Sequence, residues 1–578
     1  MSKSDDRRWT RRRFLQMVGA AGGSAAVYET MTALGLINQP TAFAGPPRVQ
    51  AGVGEGQRVL VLGAGIGGLT AAYELTRAGY TVEILEAQAR AGGRSLTARK
   101  GTVVTEQSPQ HGVTRQVCQF DDGLYLNMGP GRLPYHHRRV LHYCQALGVP
   151  LEVYVMTTEA NLFQTEQALG GNPAFRRRIS NDTRGYVSEL LAKAIRKQAL
   201  DDELDGDDRD KLLSLLQVFG DLGKGDGCDP YAYCGSTRSG CACGTPDPSH
   251  ACDPCQALDN PPTIYDPCRP TPPLPLSALL DAEFWQHRFY QPVEYEWQPT
   301  LFQPVGGMDQ IVEGFKRQLG HLIEYQSEVS AIRVTEAGVE VEYRDHLTGD
   351  GCTKRADYCI SNIPLPVLQK ITANFTPDYR RAVERGRFAP TCKVGWQAEE
   401  RFWEKDCYQI YGGISYVDHV ITQMWYPSNG YFGRKGTLTG AYNYDEDALR
   451  LGRMGLTERL ATAREGGTRL HPELADDAVV PERLGLSIAW HNVPFQQGGW
   501  AEWDTQSVED RNAYARLLAP DRGRFFMVGD QVSTLPGWQE GAMMSAEHVV
   551  EQIGGFRPLA VPDIERAPDT RRLVQGRF

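Results

Sequence analysis

The chain has 578 residues, of which 41% are hydrophobic and 23% are charged, so it is long enough for two or three domains with a large core. Its formal net charge is −10 and no basic run follows residue 20, which argues against a nucleic-acid partner because phosphate binding needs a basic surface. No stretch of 18 or more apolar residues occurs, so we predict no transmembrane helix and no membrane partner.

The basic residues that do cluster lie near the N-terminus. Residues 10–16 (TRRRFLQ) resemble a twin-arginine export signal, and a Gly/Ala-rich stretch and residues 42–44 (AFA), an A-x-A-like cleavage site, follow. We therefore predict a signal region over residues 1–44, a linker over residues 45–56, and a periplasmic or secreted protein. The alternative is a retained basic tail in which residues 29–36 pack on the body of the protein.

Residues 58–77 (RVLVLGAGIGGLTAAYELTR) form the most specific motif. An apolar run of strand length leads into GAGIGG, and helical spacing of apolar residues follows, so we predict strand, glycine turn and helix. In such a unit Gly63 allows the tight turn, Gly65 lets a pyrophosphate approach the backbone, and Gly68 lets helix and strand pack closely. The alternative is a glycine-rich turn in an ordinary α/β domain.

Two features after this turn favour FAD over NAD. The next predicted strand, residues 81–85, ends on Glu86, whose carboxylate can accept a hydrogen bond from a ribose hydroxyl. Residues 91–94 (AGGR) follow closely. Here Gly93 keeps the backbone clear, while Arg94 brings a guanidinium next to a second phosphate.

The stretches between the motifs have weaker patterns. Helical spacing predicts helices over residues 136–147 and 172–200, and short apolar runs predict strands over residues 321–329 and 338–343. Residues 201–210 form an acidic run, which we predict to be a solvated surface segment.

Residues 225–275 are rich in Cys, Gly, Pro and Asp and are predicted to be an insertion. The pairs C-x-C and C-x-x-C, with His250 between them, could offer thiolates to zinc, but their spacing fits no usual zinc pattern well. Disulfides are commoner in exported proteins, so disulfides, a structural metal and reduced thiols all remain open, and no catalytic metal is predicted. Seven of the 13 cysteines lie here: Cys228, Cys234, Cys241, Cys243, Cys252, Cys255 and Cys268.

The glycine turn, Glu86, the GGR and the pair Gly529-Asp530 near the other end resemble bacterial FAD-dependent L-amino-acid oxidases of the flavin monoamine oxidase family. The resemblance runs from Arg58 to Ile553 and implies an α/β (mixed α+β) fold. A Rossmann-like FAD-binding domain would be built from discontinuous segments, with a substrate-binding domain that contains a mixed sheet and a helical region. The boundaries are residues 57–125, 300–370 and 520–556 for the FAD-binding domain, 126–224 and 276–299 for the helical and substrate-domain segments, 371–519 for the substrate-binding domain and 557–578 for a C-terminal tail.

The resemblance also implies the cofactor site. Relatives that bind FAD covalently do so through a cysteine shortly before the last helix, and no cysteine follows Cys407 here, so we predict non-covalent FAD. The implied FAD-binding residues are Gly63, Gly65, Gly68, Glu86, Gly93, Arg94, Met128, Gly129, Val329, Gly529, Asp530, Gln539 and Ala542.

Arg132 is the first residue that points to an amino-acid substrate. It stands in residues 129–134 (GPGRLP), which resemble the oxidase loop whose arginine pairs with the substrate carboxylate, and a planar guanidinium suits that group. The alternative is a surface or salt-bridged arginine. Tyr442 resembles the tyrosine whose hydroxyl shares the carboxylate, with a core strand tyrosine as the alternative.

Lys393 is the predicted catalytic residue. It resembles the family lysine that holds a water against flavin N5, and a lysine inside an apolar strand has its pKa lowered by burial. The alternative is a lysine that protects an edge strand from aggregation. By the same resemblance the carbonyl of Gly537 accepts from the substrate amine and Trp538 forms one wall of an aromatic cage, with Trp490 and Trp500 as further pocket candidates.

The function implied is oxidative deamination of L-α-amino acids by hydride transfer from Cα to flavin N5, giving 2-oxo acid, ammonia and hydrogen peroxide from O₂. The expected assembly is a homodimer or higher homo-oligomer. Competing functions are a monoamine or polyamine oxidase, an amino-acid 2-monooxygenase, and a non-catalytic flavoprotein scaffold.

Overall fold

The computed structural model describes residues 43, 45–47, 49–200, 202–225, 227–240, 264, 271–405 and 407–554. The predicted twin-arginine motif (residues 10–16), His250, five of the insertion's cysteines and the tail from residue 557 therefore lie outside the described residues.

The strands are numbered in chain order. They are β1 (Arg58–Leu62), β2 (Thr81–Glu86), β3 (Thr97–Ala98), β4 (Val103–Ser108), β5 (Gly112–Val117), β6 (Leu126–Asn127), β7 (Leu133–Pro134), β8 (Leu151–Tyr154), β9 (Leu162–Gln164), β10 (Ala174–Phe175), β11 (Leu301–Pro304), β12 (Ile323–Tyr325), β13 (Ser327–Val334), β14 (Val339–Asp345), β15 (Gly351–Ala356), β16 (Tyr358–Ser361), β17 (Thr372–Ala373), β18 (Arg387–Phe388), β19 (Thr391–Ala398), β20 (Ile414–Val417), β21 (Gln423–Trp425), β22 (Gly436–Tyr444), β23 (Gly485–Ala489), β24 (Ala501–Glu502) and β25 (Phe525–Met527).

The α-helices of the described residues are numbered likewise. They are α1 (Ile66–Arg77), α2 (Arg138–Ala146), α3 (Arg176–Arg196), α4 (Gly206–Phe219), α5 (Leu276–Asp281), α6 (Gln310–Leu319), α7 (Leu365–Leu368), α8 (Pro377–Arg385), α9 (Asp445–Gly452), α10 (Leu456–Thr468), α11 (Val508–Leu517) and α12 (Gln539–Ile553). Among them, none is long and apolar enough to cross a membrane.

A five-stranded parallel sheet, in the order β12-β2-β1-β16-β25, forms the centre of the half that is predicted to bind FAD. β1 is apolar almost throughout because a parallel strand is covered on both faces, and helices α1, α6 and α12 pack over it. The strands come from widely separated parts of the chain. The fold therefore confirms the predicted mixed α/β class with a Rossmann-like sheet built from discontinuous segments.

A seven-stranded sheet, in the order β10-β9-β20-β21-β22-β19-β23, forms the second half. Its pairs are antiparallel except β20 with β9, so the sheet is mixed. All eight residues of β19 are buried, and the strand lies between β22 and β23. Lys393 therefore does not protect an edge strand, and that alternative is wrong.

Two of the predicted elements differ from those observed. The predicted strand over residues 321–329 is two strands, because Gln326 adopts a left-handed conformation (φ 57°) where the chain passes from one sheet to another. The predicted helix over residues 172–200 is shorter, since Ala174–Phe175 pairs with β9 and Gln198 (φ 60°) interrupts the C-terminal end. The described residues of the acidic run, 202–210, are mostly exposed, as predicted, and within them Asp205 caps α4 by accepting from the N–H of Asp208.

The start of the predicted insertion is held to α3 by a buried carboxylate. Asp182 is fully buried and accepts hydrogen bonds from the hydroxyls of Tyr233 and Ser239, both at 2.6 Å, and from the N–H of Leu274 at 2.8 Å. Cys228 and Cys234 form a disulfide. For this pair the disulfide alternative is therefore confirmed, and Cys407 is disulfide-bonded as well.

Candidate active site

A cavity of about 660 Å³ lies between the carboxyl ends of the parallel strands and the seven-stranded sheet. Its volume is within the range of cofactor and ligand sites. The sequence-predicted residues that line it are Gly63, Gly65, Glu86, Gly93, Arg94, Met128, Gly129, Val329, Lys393, Tyr442, Gly529, Asp530, Gly537, Trp538, Gln539 and Ala542, together with Trp490 and Trp500.

Two predicted residues do not line the cavity. Gly68 lies behind the turn, where an added Cβ would be 2.2 Å from the carbonyl oxygen of Gly63, so its role is the close packing of α1 on β1. Arg132 lies behind the aromatic residues described below and is almost completely buried.

The glycine turn has no space for side chains, so a ligand there would contact its backbone. A Cβ on Gly65 would lie 2.4 Å from the amide nitrogen of Asn362, and one on Gly67 would lie 2.9 Å from the backbone nitrogen of Gly529. No side chain caps the N-terminus of α1 at Gly65, so the first N–H groups of the helix remain for an anion. The turn therefore fits the pyrophosphate of a dinucleotide.

Glu86 is held in place at the end of β2. Its carboxylate is buried and accepts hydrogen bonds from the N–H of Ala64 at 2.8 Å and of Gln88 at 2.9 Å. Burial raises its pKa, and the two N–H donors oppose that rise. The carboxylate is thus fixed at the cavity, where it can accept a hydrogen bond from a ligand hydroxyl.

Arg94 and Asp530 join the two ends of the chain at this cavity. The guanidinium donates to Asp530 Oδ2 at 3.1 Å, makes a second bond to Oδ1, and donates to the carbonyl oxygen of Gly499 at 2.6 Å. Asp530 Oδ2 also accepts from the N–H of Gly537 at 2.8 Å. The pair therefore fixes the loop that carries the predicted amine-binding carbonyl of Gly537.

Arg132 is a buried cation surrounded by aromatic rings. Its guanidinium carbon lies 3.7 Å from the ring centre of Trp297, 4.8 Å from that of Trp425 and 5.5 Å from that of Trp538. No carboxylate of the described residues forms an ion pair with it, and its Nε is buried without a hydrogen-bond partner. Burial lowers its pKa. A buried charge without a counter-ion is costly, so this site favours an anionic ligand.

Tyr442 lies beside this cation. Its ring packs edge-on against Trp425 at 5.0 Å and against Tyr444 at 4.8 Å. Burial raises the pKa of its phenol well above the ordinary value, although Arg132 opposes the rise. The hydroxyl therefore stays protonated and can donate a hydrogen bond to an anion.

Lys393 links β19 to the loop that carries Arg132. Its Nζ donates to the carbonyl oxygen of Gly129 at 2.6 Å and to that of Asn127 at 3.2 Å. Burial, and after it the charge of Arg132, lowers the pKa of Lys393 to about 7. Near neutral pH the amine is thus divided between its charged and neutral forms, which suits a group that exchanges protons.

Several residues at the site were not predicted from the sequence. Asn362 follows β16 at the carboxyl end of a parallel strand, a position typical of ligand contacts, so a topological argument could have found it. Trp297 stands in a short 3₁₀ turn without periodic pattern, and no local signal indicates its stacking on Arg132. Trp490, by contrast, is a pocket candidate from the sequence, and its indole N–H donates to the carbonyl oxygen of Met128 at 2.9 Å.

One cluster of described residues has side chains that metals can use. Glu296 Oε2 lies 3.0 Å from Nε2 of His136 and 2.8 Å from Nε2 of His137. However, both Nδ1 atoms are buried without a partner, whereas a metal-bound histidine normally donates its other N–H. The cluster therefore fits hydrogen bonding better than metal binding.

The parallel sheet and glycine turn beside a cavity lined by Lys393, with the buried Arg132 behind its wall, are typical of a cofactor-dependent oxidoreductase. The sequence model of the family described as flavin containing amine oxidoreductase matches residues 66–227 and 274–554. The chain belongs to this family, and it is a flavin-dependent oxidoreductase. The unmatched residues 228–273 lie within the predicted insertion.

Curated relatives match most of the chain. The flavin-dependent L-tryptophan oxidase RebO of Lentzea aerocolonigenes is 27% identical over 519 residues, which cover 86% of this chain and 98% of the relative. The putative L-amino-acid oxidase YobN of Bacillus subtilis is 24% identical, covering 86% and 94%. An L-amino-acid oxidase of Siganus canaliculatus is 23% identical, covering 84% and 83%.

Solved structures share the fold. A putrescine oxidase bound to putrescine has a TM-score of 0.53 at 18% identity, and the match covers 86% of this chain and 98% of that chain. Cyclohexylamine oxidase of Brevibacterium oxydans has a TM-score of 0.52 at 15% identity, with the same two coverages.

Proposed function

We propose that this protein is an FAD-dependent L-amino-acid oxidase, which converts an L-α-amino acid, O₂ and water into the 2-oxo acid, ammonia and hydrogen peroxide. The observation that carries the proposal is the buried guanidinium of Arg132, which has no acidic partner among the described residues and lies behind Tyr442 and Trp538 of the cavity wall. The substrate carboxylate would supply the missing counter-ion. The names of the curated relatives support the same substrate class.

Arg132 and the residues around it would bind different groups of the substrate. Arg132 and the protonated hydroxyl of Tyr442 bind the carboxylate, and the carbonyl of Gly537 accepts from the substrate amine, which together orient Cα. Trp538 and Trp500 cover the substrate and exclude water. Trp490, Trp500 and Trp538 line the cavity and favour large aromatic or aliphatic substrate side chains.

When bound, FAD would supply the redox chemistry, as the acceptor of the hydride from Cα and the donor of two electrons to O₂. Lys393 has a different task. With its pKa near 7, the neutral amine at Nζ takes a proton through a water, which keeps the substrate amine unprotonated before hydride transfer. The imine that forms from the amino acid is then hydrolysed to the 2-oxo acid and ammonia.

Non-covalent FAD is part of the proposal. Cys407 is disulfide-bonded, and none of the free cysteines of the described residues lines the cavity. The flavin would be held by the α1 N-terminus, Glu86 and the Arg94–Asp530 pair.

An amine oxidase is the main competing function, because the solved structures that share the fold include enzymes named for amines. An amine without a carboxylate would leave Arg132 unpaired. The test is peroxide formation by the purified protein with the L-amino acids, their D-isomers and the matching decarboxylated amines, together with identification of the product. We expect peroxide and 2-oxo acid from L-amino acids. Activity on amines alone, or formation of the amide, would reject the proposal.

A further inference from the structure

The cluster of His136, His137 and Glu296 lies next to the carboxylate site. Glu296 precedes Trp297 in a 3₁₀ turn, and Trp297 is the ring on which Arg132 stacks at 3.7 Å. The two histidines follow Arg132 by four and five residues, after β7. The hydrogen bonds of Glu296 therefore connect the segment that carries Arg132 with the segment that carries its stacking partner.

A second path leads from the same cluster to Arg132. The ring of His137 packs edge-on against Trp538 at 4.9 Å, and Trp538 lies 5.4 Å from Trp297. Trp538 is also one of the three rings around the guanidinium. Two of the three tryptophans that surround Arg132 are thus in contact with the cluster or adjacent to it in the chain.

We propose that Glu296 and His137 are positioning residues, which hold Trp297 and Trp538 against Arg132 so that its guanidinium is fixed and still free to bind a carboxylate. The proposal deepens the proposed function and rests on it. We call the three tryptophans and the arginine (Trp297, Trp425, Trp538 and Arg132) the aromatic clamp.

The hydrogen bonds of the cluster explain why Glu296 does not pair with Arg132. Burial raises the pKa of Glu296, but the hydrogen bonds from His136 and His137 outweigh that effect and lower the pKa to about 2. Glu296 is consequently an anion whose acceptor capacity is used by two imidazoles. It forms no ion pair with Arg132, so Arg132 remains available to an external anion.

The test uses Glu296→Gln, His137→Asn and the double variant, all as FAD-loaded full-length protein. Glu400→Gln is the control, because Glu400 pairs with Lys405 on the surface and does not contact the clamp. The first measurement is the near-ultraviolet circular dichroism of the tryptophans, which needs no activity. We expect both single variants to change this spectrum and the control to leave it unchanged. A wild-type spectrum in Glu296→Gln and in His137→Asn would overturn the proposal.

The second measurement is the affinity for indole-3-acetate, a carboxylate without an amine, followed by the perturbation of flavin absorbance. We expect each single variant to bind roughly 10-fold more weakly, and the double variant to be no weaker than the worse single variant, because the two residues act as one unit. Flavin reduction at saturating substrate should change less than the affinity. Unchanged affinities, or losses that simply multiply in the double variant, contradict the positioning role.

Two further outcomes are distinguishable. If the wild-type protein itself binds no carboxylate and oxidises no amino acid, the proposed function fails, while the circular dichroism still decides whether Glu296 and His137 hold the tryptophans. If chelation of metal by EDTA changes the wild-type spectrum as Glu296→Gln does, a metal ion joins the three side chains and the hydrogen-bonding proposal is wrong.

Discussion

The ammonium of Lys393 donates a hydrogen bond to the carbonyl oxygen of Gly129 at 2.6 Å, three residues before Arg132 in the chain. The charge of Arg132 in turn contributes to the lowered pKa of Lys393. The residue proposed to move a proton and the residue proposed to bind the carboxylate are therefore coupled through one loop. Neutralising Arg132 with a substrate carboxylate should raise the pKa of Lys393.

This coupling predicts a pH dependence. The pKa of Lys393 is lowered to about 7, so the amine is protonated below that value and neutral above it. If the neutral amine is the proton acceptor, kcat/KM should rise as pH increases through about 7. The corresponding rise in kcat should occur at higher pH, because the bound carboxylate neutralises the charge of Arg132 and so raises the pKa of Lys393.

Lys393→Met should remove this limb and lower the rate of flavin reduction more than the substrate affinity. Rapid-mixing absorbance without oxygen measures the reduction step, and Lys405→Met, at a partly exposed lysine paired with Glu400, serves as the control. An unchanged pH limb in Lys393→Met would show that another group titrates.

A second prediction concerns FAD retention. Glu86→Ala removes a buried acceptor at the ribose position and should weaken FAD binding by roughly 1–3 kcal/mol. Glu83→Ala is the matched control on the same strand, because Glu83 pairs with Lys354 and does not line the cavity. Flavin fluorescence after ultrafiltration measures the loss. Acid precipitation should release all the FAD, and flavin that stays with the precipitate would contradict non-covalent binding.

Export remains a prediction from the sequence alone. Changing Arg11 and Arg12 to lysine should keep the protein in the cytoplasm, because the twin-arginine route reads the arginine pair. Activity in separated cell fractions measures this, and undiminished periplasmic activity of the variant would reject it. The mature chain should begin near Gly45, so cleavage would remove Phe43, whose ring lies 5.1 Å from that of His142.

The parts of the fold that the sequence predicts are those whose defining residues lie close together in the chain. The glycine turn and Glu86 are local, because strand, turn and helix follow each other directly and the required residues stand at fixed spacing. Lys393 was found because an apolar strand surrounds a charged residue, and the family resemblance supplied the role.

The contacts made over long sequence distances could not be predicted in the same way. The stacking of Trp297 on Arg132 joins residues 165 positions apart, and neither stretch has a pattern that indicates its partner. The pairing of Arg94 with Asp530 is similar, since the sequence predicts each separately as an FAD-binding residue and the structure brings the two together. Tertiary packing decided these contacts.

The central claim is that Arg132 binds the carboxylate of an L-amino acid. Arg132→Ala should weaken the binding of the amino acid by about 2–5 kcal/mol, because the carboxylate loses its charged partner. KM for the amino acid should therefore rise steeply. Arg401→Ala is the control: Arg401 is also a buried arginine near a tryptophan ring, but it is paired with Glu404, so its loss should affect stability and leave substrate preference unchanged.

The most direct measurement is the ratio of kcat/KM for L-tryptophan to that for tryptamine, which differ only in the carboxylate, in the wild type, Arg132→Ala and Arg401→Ala. We expect the wild type and Arg401→Ala to prefer L-tryptophan strongly and Arg132→Ala to lose roughly 30-fold or more of that preference. Equal kcat/KM values of the wild type for tryptamine and L-tryptophan would contradict the account. A preference for L-tryptophan that is unchanged in Arg132→Ala would also contradict it.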